Sequence, residues 1–206
     1  MIVSFVLASS SPRRIEFMRQ AGLSVQTDSP DIDETPKRGE TPRALVARLA
    51  REKALSVAKK GFRGGASEVQ LVIAADTIVV SPNGKKILNK PRDEADARKM
   101  LGSLSGKSHF VFTSYCIVPV KRDGSAGKPL VKVVSSKVKM RKFTKRDIDR
   151  YIKTGEPMDK AGSYGAQGKG MVLIEGIQGS YTNVVGLPMC QLMADLEKHF
   201  GVPLFS

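Results

Sequence analysis

The chain has 206 residues and a formal net charge of +14, from 34 Lys or Arg against 20 Asp or Glu, and 41% of its residues are hydrophobic. This length and composition predict a single globular domain over residues 1–206, and the longest apolar runs are far shorter than the ~20 residues of a membrane helix. Because the start of the chain also lacks the basic segment of a secretory signal, we expect a cytoplasmic protein without a membrane partner. The positive charge favours anionic partners, but it does not distinguish nucleic acid from a phosphorylated metabolite.

The first predicted strand is the apolar run at residues 2–8, which leads into a polar turn containing Ser9 and then into a helix. Ser11, followed by a proline, suits the N-cap of that helix. Arg13 and Arg14 then stand beside unpaired backbone N–H groups, and the combination favours a bound phosphate. The same segment is also typical of an ordinary capped surface helix with solvated arginines.

Further along the chain, apolar periodicity and turn signals predict alternating helices and strands. The predicted helices cover residues 13–21, 93–104, 144–154 and 188–200, with a long helix starting at residue 41. The predicted strands cover residues 23–27, 69–80, 86–88, 109–120, 130–140 and 171–175. A break is predicted at residues 61–67 and a glycine-rich loop at residues 155–170. Lys137 and Lys139 alternate along one strand, which predicts a solvated basic face.

Several polar residues break the local pattern at the ends of these elements. Asp76 directly follows a run of buried strand type, so it needs a cationic partner, a metal or a role as a base. A structural pairing with a nearby lysine fits it equally well. Lys53 and Lys90 are ambiguous singly, because most lysines face solvent. Gln167 lies in the glycine-rich loop, where its amide could contact the edge of a base.

A transition-metal site is not expected from this sequence. The two cysteines, Cys116 and Cys190, are far apart, and His109 and His199 are the only histidines. None of these residues has the spacing of a zinc site. A metal here would be a hard cation held by carboxylates and by substrate phosphate.

The order of these motifs resembles the Maf family of nucleoside triphosphate pyrophosphatases, named for inhibition of septum formation in bacteria. The resemblance covers nearly the whole chain and rests on residues 7–14, 33–35, 49–54, 75–77, 90–91, 104–106, 159–168 and 186–188. It implies a mixed α/β fold similar to that of the inosine triphosphate pyrophosphatases, with helices flanking an elongated twisted sheet and two lobes around a nucleotide-binding groove. It also implies a homodimer and hydrolysis of a nucleoside triphosphate to the monophosphate and pyrophosphate, with a divalent cation such as Mg²⁺ or Mn²⁺.

The resemblance also assigns roles to particular residues. Asp76 matches the catalytic base, and Glu34, Lys53 and Lys90 match the other charged active-site positions. Glu34 and Asp76 are expected to hold the metal. The positions of the phosphate-binding turn are Ser9, Arg13 and Arg14. Such residue types suit attack of water at the α phosphorus, because cations stabilise the developing negative charge while a carboxylate deprotonates the water.

Substrate choice in the family follows three positions, which here are Arg13, Thr77 and Gln167. This combination resembles the branch that acts on dTTP and UTP, and the Gln167 amide could both donate to and accept from a uracil or thymine edge. Hydrolysis of 7-methyl-GTP is the alternative within the family, although that branch carries an aromatic residue, Gln and Glu at these positions. A non-catalytic protein that binds nucleic acid is the alternative outside it, but such a surface would gain nothing from carboxylates beside its arginines.

Overall fold

The computed structural model describes residues 3–65 and 69–204, and its strands form one mixed seven-stranded sheet. The strands are β1 (Val3–Leu7), β2 (Val25–Thr27), β3 (Val69–Val80), β4 (Ile87–Leu88), β5 (Ser108–Lys121), β6 (Leu130–Met140) and β7 (Ile174–Gln178). Their order is β2-β1-β3-β5-β6-β7, and β4 pairs with β3. This mixed α/β architecture confirms the predicted class of fold.

Four helices lie between these strands in the chain and two follow the last strand, among the described residues. They are α1 (Pro12–Gln20), α2 (Pro42–Ala58), α3 (Glu94–Leu104), α4 (Lys145–Ile152), α5 (Tyr181–Val185) and α6 (Met189–Phe200). Side-chain caps fix several of their starts, since Thr41 accepts a hydrogen bond from Ala44 N, and Thr144 and Asp147 form a reciprocal capping box. Ser11 occupies the N-cap position of α1 as predicted, but its side chain makes no capping bond.

The chain forms two compact units, each built from more than one segment. Unit 1 comprises residues 1–76, 113–134 and 186–206, and within it β1 pairs in parallel with both β2 and β3. One apolar cluster of this unit joins β1, α2, β3 and β5 through small and branched residues. The long helix predicted to start at residue 41 is α2, and it buries one apolar face: Leu45, Val46, Leu49, Ala50 and Ala54.

Unit 2 comprises residues 77–112 and 135–185. Within it β4 pairs antiparallel with the end of β3, and β7 pairs antiparallel with β6. Its core contains Leu101 and Leu104 of α3, Met140 of β6, and Tyr151 and Ile152 of α4. Each unit therefore has an apolar cluster made of its own residues.

Most predicted elements agree with the structure to within a few residues, but the stretch after the glycine-rich loop differs. The strand predicted at residues 171–175 is wrong, since Gly168–Leu173 is a 3-10 helix and the strand is Ile174–Gln178. Met171 and Val172, which the predicted strand included, are both 60% exposed. The loop itself contains two further 3-10 helices, Glu156–Asp159 and Ala161–Ser163.

The short helix α5 was not predicted from the sequence. The first apolar run and the break at residues 61–67 extend outside the described residues, at Ile2 and at residues 66–67. In the described parts of the chain, no helix combines the length and the apolar character that crossing a membrane requires.

Candidate active site

The centre of the candidate site in unit 1 is the ammonium group of Lys53. Its Nζ donates a hydrogen bond to Oδ1 of Asp76 at 2.7 Å and lies 2.8 Å from Oε1 of Glu34. Lys53 and Asp76 are only 9% and 7% exposed, whereas the side chain of Glu34 is 59% exposed. Asp76 therefore has the cationic partner that its burial requires, and one ammonium group joins a buried carboxylate to an open one.

The position of Asp76 follows from the register of the parallel strands. Leu7 of β1 lies opposite Ile73 of β3, and Ala8 N donates to Ile73 O at 2.7 Å. The turn that contains Ser9 and the carboxylate of Asp76 both come directly after this pairing, although Asp76 still lies within β3, which continues to Val80. The Ser9 turn is at the carboxyl end of β1, and ligands commonly bind at the carboxyl ends of strands in an α/β sheet.

Arg14 is fixed on the same side of unit 1 by the backbone of a distant segment. Its Nε donates to Gly186 O at 2.9 Å, and its Nη1 donates to Ser9 Oγ at 3.4 Å. Ser9 Oγ also accepts from Ser11 N at 3.2 Å, so the hydroxyl holds the turn that precedes α1. The carbonyl of Gly186 was not predicted as a functional group, and only its presence in a family motif pointed to it.

The charges around Arg14 show which groups share its environment. Burial lowers the pKa of its guanidinium, Asp76 opposes that change, Arg13 lowers the pKa further and Glu34 raises it. Arg14 therefore stands in the field of both carboxylates that contact Lys53. Arg13, its half-buried neighbour, adds a second positive charge to the first turn of α1.

The loop that carries Glu34 is tied to α2 by Arg48, a residue that sequence reasoning missed. Arg48 donates to both carboxylate oxygens of Glu40, at 2.8 and 2.9 Å, and to Thr35 O at 3.0 Å. The hydrogen bonds from Arg48 are the main cause that lowers the pKa of Glu40 to about 2. Nothing in the local pattern of α2 distinguished Arg48 from a solvated arginine, because its partners lie in an irregular loop.

The other three predicted site residues belong to unit 2. Thr77 follows Asp76 in β3 and is half-buried, and Lys90 is exposed directly before the buried Pro91. Gln167 is exposed and has extended backbone angles, φ −109° and ψ 158°. No hydrogen bond of the Gln167 side-chain amide is found within the described residues of unit 2.

The glycine-rich loop of unit 2 is organised around a carboxylate that was also not predicted. Glu156 accepts hydrogen bonds from Tyr151 OH, Lys169 N and Gly170 N, each at 2.8 Å. Burial alone would raise the pKa of Glu156, but these hydrogen bonds outweigh it and the pKa is lowered. The carboxylate is therefore held in its charged form while it binds backbone N–H groups.

Comparison with known proteins agrees with this arrangement of motifs. Residues 4–199 match the family model described as Maf-like protein. A dTTP/UTP pyrophosphatase of Geobacter sulfurreducens is 45% identical over 193 residues, covering 94% of this chain and 95% of the relative. Another, from Acetivibrio thermocellus, is 45% identical over 206 residues, covering 100% and 99%.

The fold also has a counterpart among solved structures. The Ham1 protein of Staphylococcus aureus matches with a TM-score of 0.50 and 16% identity, covering 95% of this chain and 98% of that one. At this identity the likeness concerns the fold alone. By its family-model match over residues 4–199 and its full-length relatives, the chain belongs to the Maf-like protein family.

Proposed function

We propose that this protein is a nucleoside triphosphate pyrophosphatase that hydrolyses dTTP and UTP to the monophosphate and pyrophosphate. The relatives described above carry that activity in their names. The observation that carries the proposal is the arrangement of Asp76, Lys53 and Glu34 beside the Arg14 turn. A purely structural ion pair would need only one carboxylate, whereas here a second, exposed carboxylate converges on the same ammonium group.

The geometry suits Asp76 as the general base. Oδ1 of Asp76 accepts a hydrogen bond from Lys53, whereas Oδ2 accepts none from the described residues. Oδ2 is therefore the atom that would take a proton from water. The water oxygen then forms a bond to the α phosphorus, and the bond from that phosphorus to the pyrophosphate oxygen breaks. The hydrogen bond from Lys53 keeps the carboxylate oriented before the transfer.

Arg14 and the Ser9 turn would bind the phosphate chain. The guanidinium is fixed by Gly186 O through its Nε, and its position at the first turn of α1 adds the backbone dipole of that helix. Negative charge grows on the phosphoryl oxygens during attack, so a fixed guanidinium stabilises the transition state more than the ground state. Arg13 contributes a second guanidinium on the same turn.

The two carboxylates also fit a divalent cation such as Mg²⁺ or Mn²⁺. Glu34 and Asp76 each use one oxygen to contact the Lys53 ammonium group, so the other oxygen of each carboxylate would hold the cation, and Mg²⁺ is commonly held by one or two carboxylates together with substrate phosphates. When bound, such a cation neutralises charge on the phosphate oxygens. The homodimer stays a prediction from the family resemblance.

The family resemblance gives three positions that select the base, Arg13, Thr77 and Gln167. The exposed Gln167 amide offers both a donor and an acceptor, which match the carbonyl and the N3–H of uracil or thymine. Cytosine presents the opposite pattern at these atoms. A site built to satisfy these hydrogen bonds would discriminate strongly, because the wrong base leaves buried polar groups unpaired.

The decisive experiment measures pyrophosphate release from dTTP, UTP, CTP and 7-methyl-GTP with Mg²⁺ or Mn²⁺. We expect release from dTTP and UTP with the wild type and a loss of at least about a thousandfold in Asp76→Asn, since removing a general base and its charge costs at least its ordinary catalytic contribution. Asp123→Asn, which changes an exposed loop carboxylate, serves as the matched control and should keep full activity.

Other outcomes would change the proposal in defined ways. A preference for 7-methyl-GTP would refute the assignment of the branch and keep the reaction. No release from any nucleotide with either metal would refute the enzyme and favour the nucleic-acid alternative, whose affinity should then fall steeply with salt.

A further inference from the structure

The loop that carries Gln167 is closed at both of its ends by a single pair of side chains. Glu156 Oε2 accepts from Lys169 N, and Glu156 Oε1 accepts from Gly170 N and from Tyr151 OH, all at 2.8 Å. The hydroxyl of Tyr151 in turn accepts from Gly165 N at 3.2 Å. Both sides of Gln167 are therefore attached to the Tyr151–Glu156 pair.

The glycines of this loop are required by the same pair. A Cβ atom on Gly168 would lie 2.7 Å from Glu156 Oε2, and one on Gly170 would lie 2.4 Å from Tyr151 OH. Gly168 also has a φ of +76°, which a side chain rarely adopts. The loop backbone can therefore reach the carboxylate only because these positions lack side chains.

The hydrogen bonds of this pair fix the backbone on both sides of Gln167. Its side chain is exposed and its amide has no hydrogen-bond partner there, while the residues on either side are fixed. A ligand that bonds the amide would meet a group whose Cα position is preset and whose amide is unoccupied. Such preorganisation lowers the entropy lost on binding.

We propose that Glu156 is a positioning residue for base recognition: it fixes the backbone of residues 165–170 so that Gln167 can read a uracil or thymine edge. This inference rests on the proposed function for its choice of base. Glu156 itself does not touch the nucleotide or the reacting atoms. Its contribution is to selectivity, and the chemistry assigned to Asp76 does not depend on it.

The test compares the dissociation constants of α,β-imido-dUTP and α,β-imido-dCTP, measured by calorimetry on wild type, Glu156→Gln and Gln167→Ala. These analogues resist cleavage at the α phosphorus, so the ratio of the two constants does not require turnover. We expect the wild type to prefer the uracil analogue, and Glu156→Gln to reduce that preference at least tenfold. Binding of the cytosine analogue should change less than threefold.

The double variant Glu156→Gln/Gln167→Ala separates positioning from general damage. If Glu156 acts through Gln167, the double variant has the same base preference as Gln167→Ala alone. Gly168→Ala, whose Cβ would push against Glu156, should reproduce the loss of preference. Gly176→Ala is the matched control, because a Cβ there meets nothing within 4 Å.

Two results would overturn the inference. One is an unchanged ratio of dissociation constants in Glu156→Gln, and the other is an equal loss of affinity for both analogues that persists in the Gln167→Ala background. Failure of the proposed function looks different, since the wild type would then release no pyrophosphate while the ratio of dissociation constants still reports on Glu156.

Discussion

Lys53 shows how much of this site depends on one residue. A lysine that is only 9% exposed loses most of its hydration. Lys53 contacts two carboxylates in place of water, the buried Asp76 and the exposed Glu34. Buried ion pairs of this kind add little net stability, but removing one partner leaves a charge without compensation. The stability of unit 1 and the orientation of Asp76 are therefore linked through the same ammonium group.

We expect Lys53→Met to lower the free energy of unfolding by about 3–5 kcal/mol, because Asp76 would be left buried and without its lysine. Adding Asp76→Asn should restore part of that loss, since the double variant no longer buries a bare charge. Urea unfolding at neutral pH measures all three variants against the wild type. Strictly additive effects of the two substitutions would contradict a direct coupling between these residues.

At the scale of elements, α2 does more than bury an apolar stripe. Its Arg48 contacts Glu40 with two nitrogens and reaches Thr35 O, so the helix holds the irregular loop on which Glu34 lies. A guanidinium can make this forked contact and a lysine ammonium cannot. The helix thus positions one carboxylate of the site through the loop and contacts it directly through Lys53.

Arg48→Lys should therefore loosen the loop without unfolding the helix. We expect amide hydrogen exchange in residues 33–40 to become at least about fivefold faster, which corresponds to a loss of about 1 kcal/mol of local stability. Exchange in α4, which belongs to unit 2, should not change. Arg43→Lys, an exposed change on the same helix, is the control, and equal acceleration in that variant would disprove the role of Arg48.

The strands and helices could be predicted from the sequence where the apolar pattern was long, and the site could be predicted only in part. The bounds of β3 and β6 are the predicted ones, because both are long runs rich in branched residues. The apolar residues before Asp76 indicated that its carboxylate needs a cationic partner. The periodicity of α2 could not show that this partner is Lys53, which lies 23 residues earlier in the chain. Glu156 was not predicted because two of its three partners are backbone N–H groups, which no residue pattern displays.

For the molecule as a whole, His109 makes stability depend on pH. Its ring is fully buried in unit 2, Nε2 lies 2.8 Å from Tyr164 OH, and Nδ1 has no hydrogen-bond partner among the described residues. Burial lowers the pKa of His109 to about 4, from an ordinary value of 6.5. The unfolded chain thus binds a proton below pH 6.5 that the folded chain does not accept until about pH 4.

The free energy of unfolding should accordingly fall as the pH drops from 6.5 towards 4, by roughly 1–2 kcal/mol between pH 7 and 5 from this residue. In His109→Phe combined with Tyr164→Phe, which leaves no hydroxyl unpaired, that part of the pH dependence should disappear. Urea unfolding at the two pH values measures it. If the free energy of unfolding of the double variant fell as much between pH 7 and pH 5 as that of the wild type, groups other than His109 would cause the decline.

The interleaving of the two units along the chain has a consequence for synthesis on the ribosome. Every segment of unit 2 ends by residue 185, whereas one segment of unit 1, residues 186–206, is synthesised only after all of unit 2. The residues of β3, β5 and β6 are each divided between the two units. When residue 185 has been synthesised, unit 2 has all of its residues, whereas α6 of unit 1 has not yet been made. A nascent chain that has reached only residue 185 carries Lys53 and Asp76 but not the Gly186 carbonyl that accepts from Arg14, so Arg14 gains this hydrogen bond only after unit 2 has been synthesised.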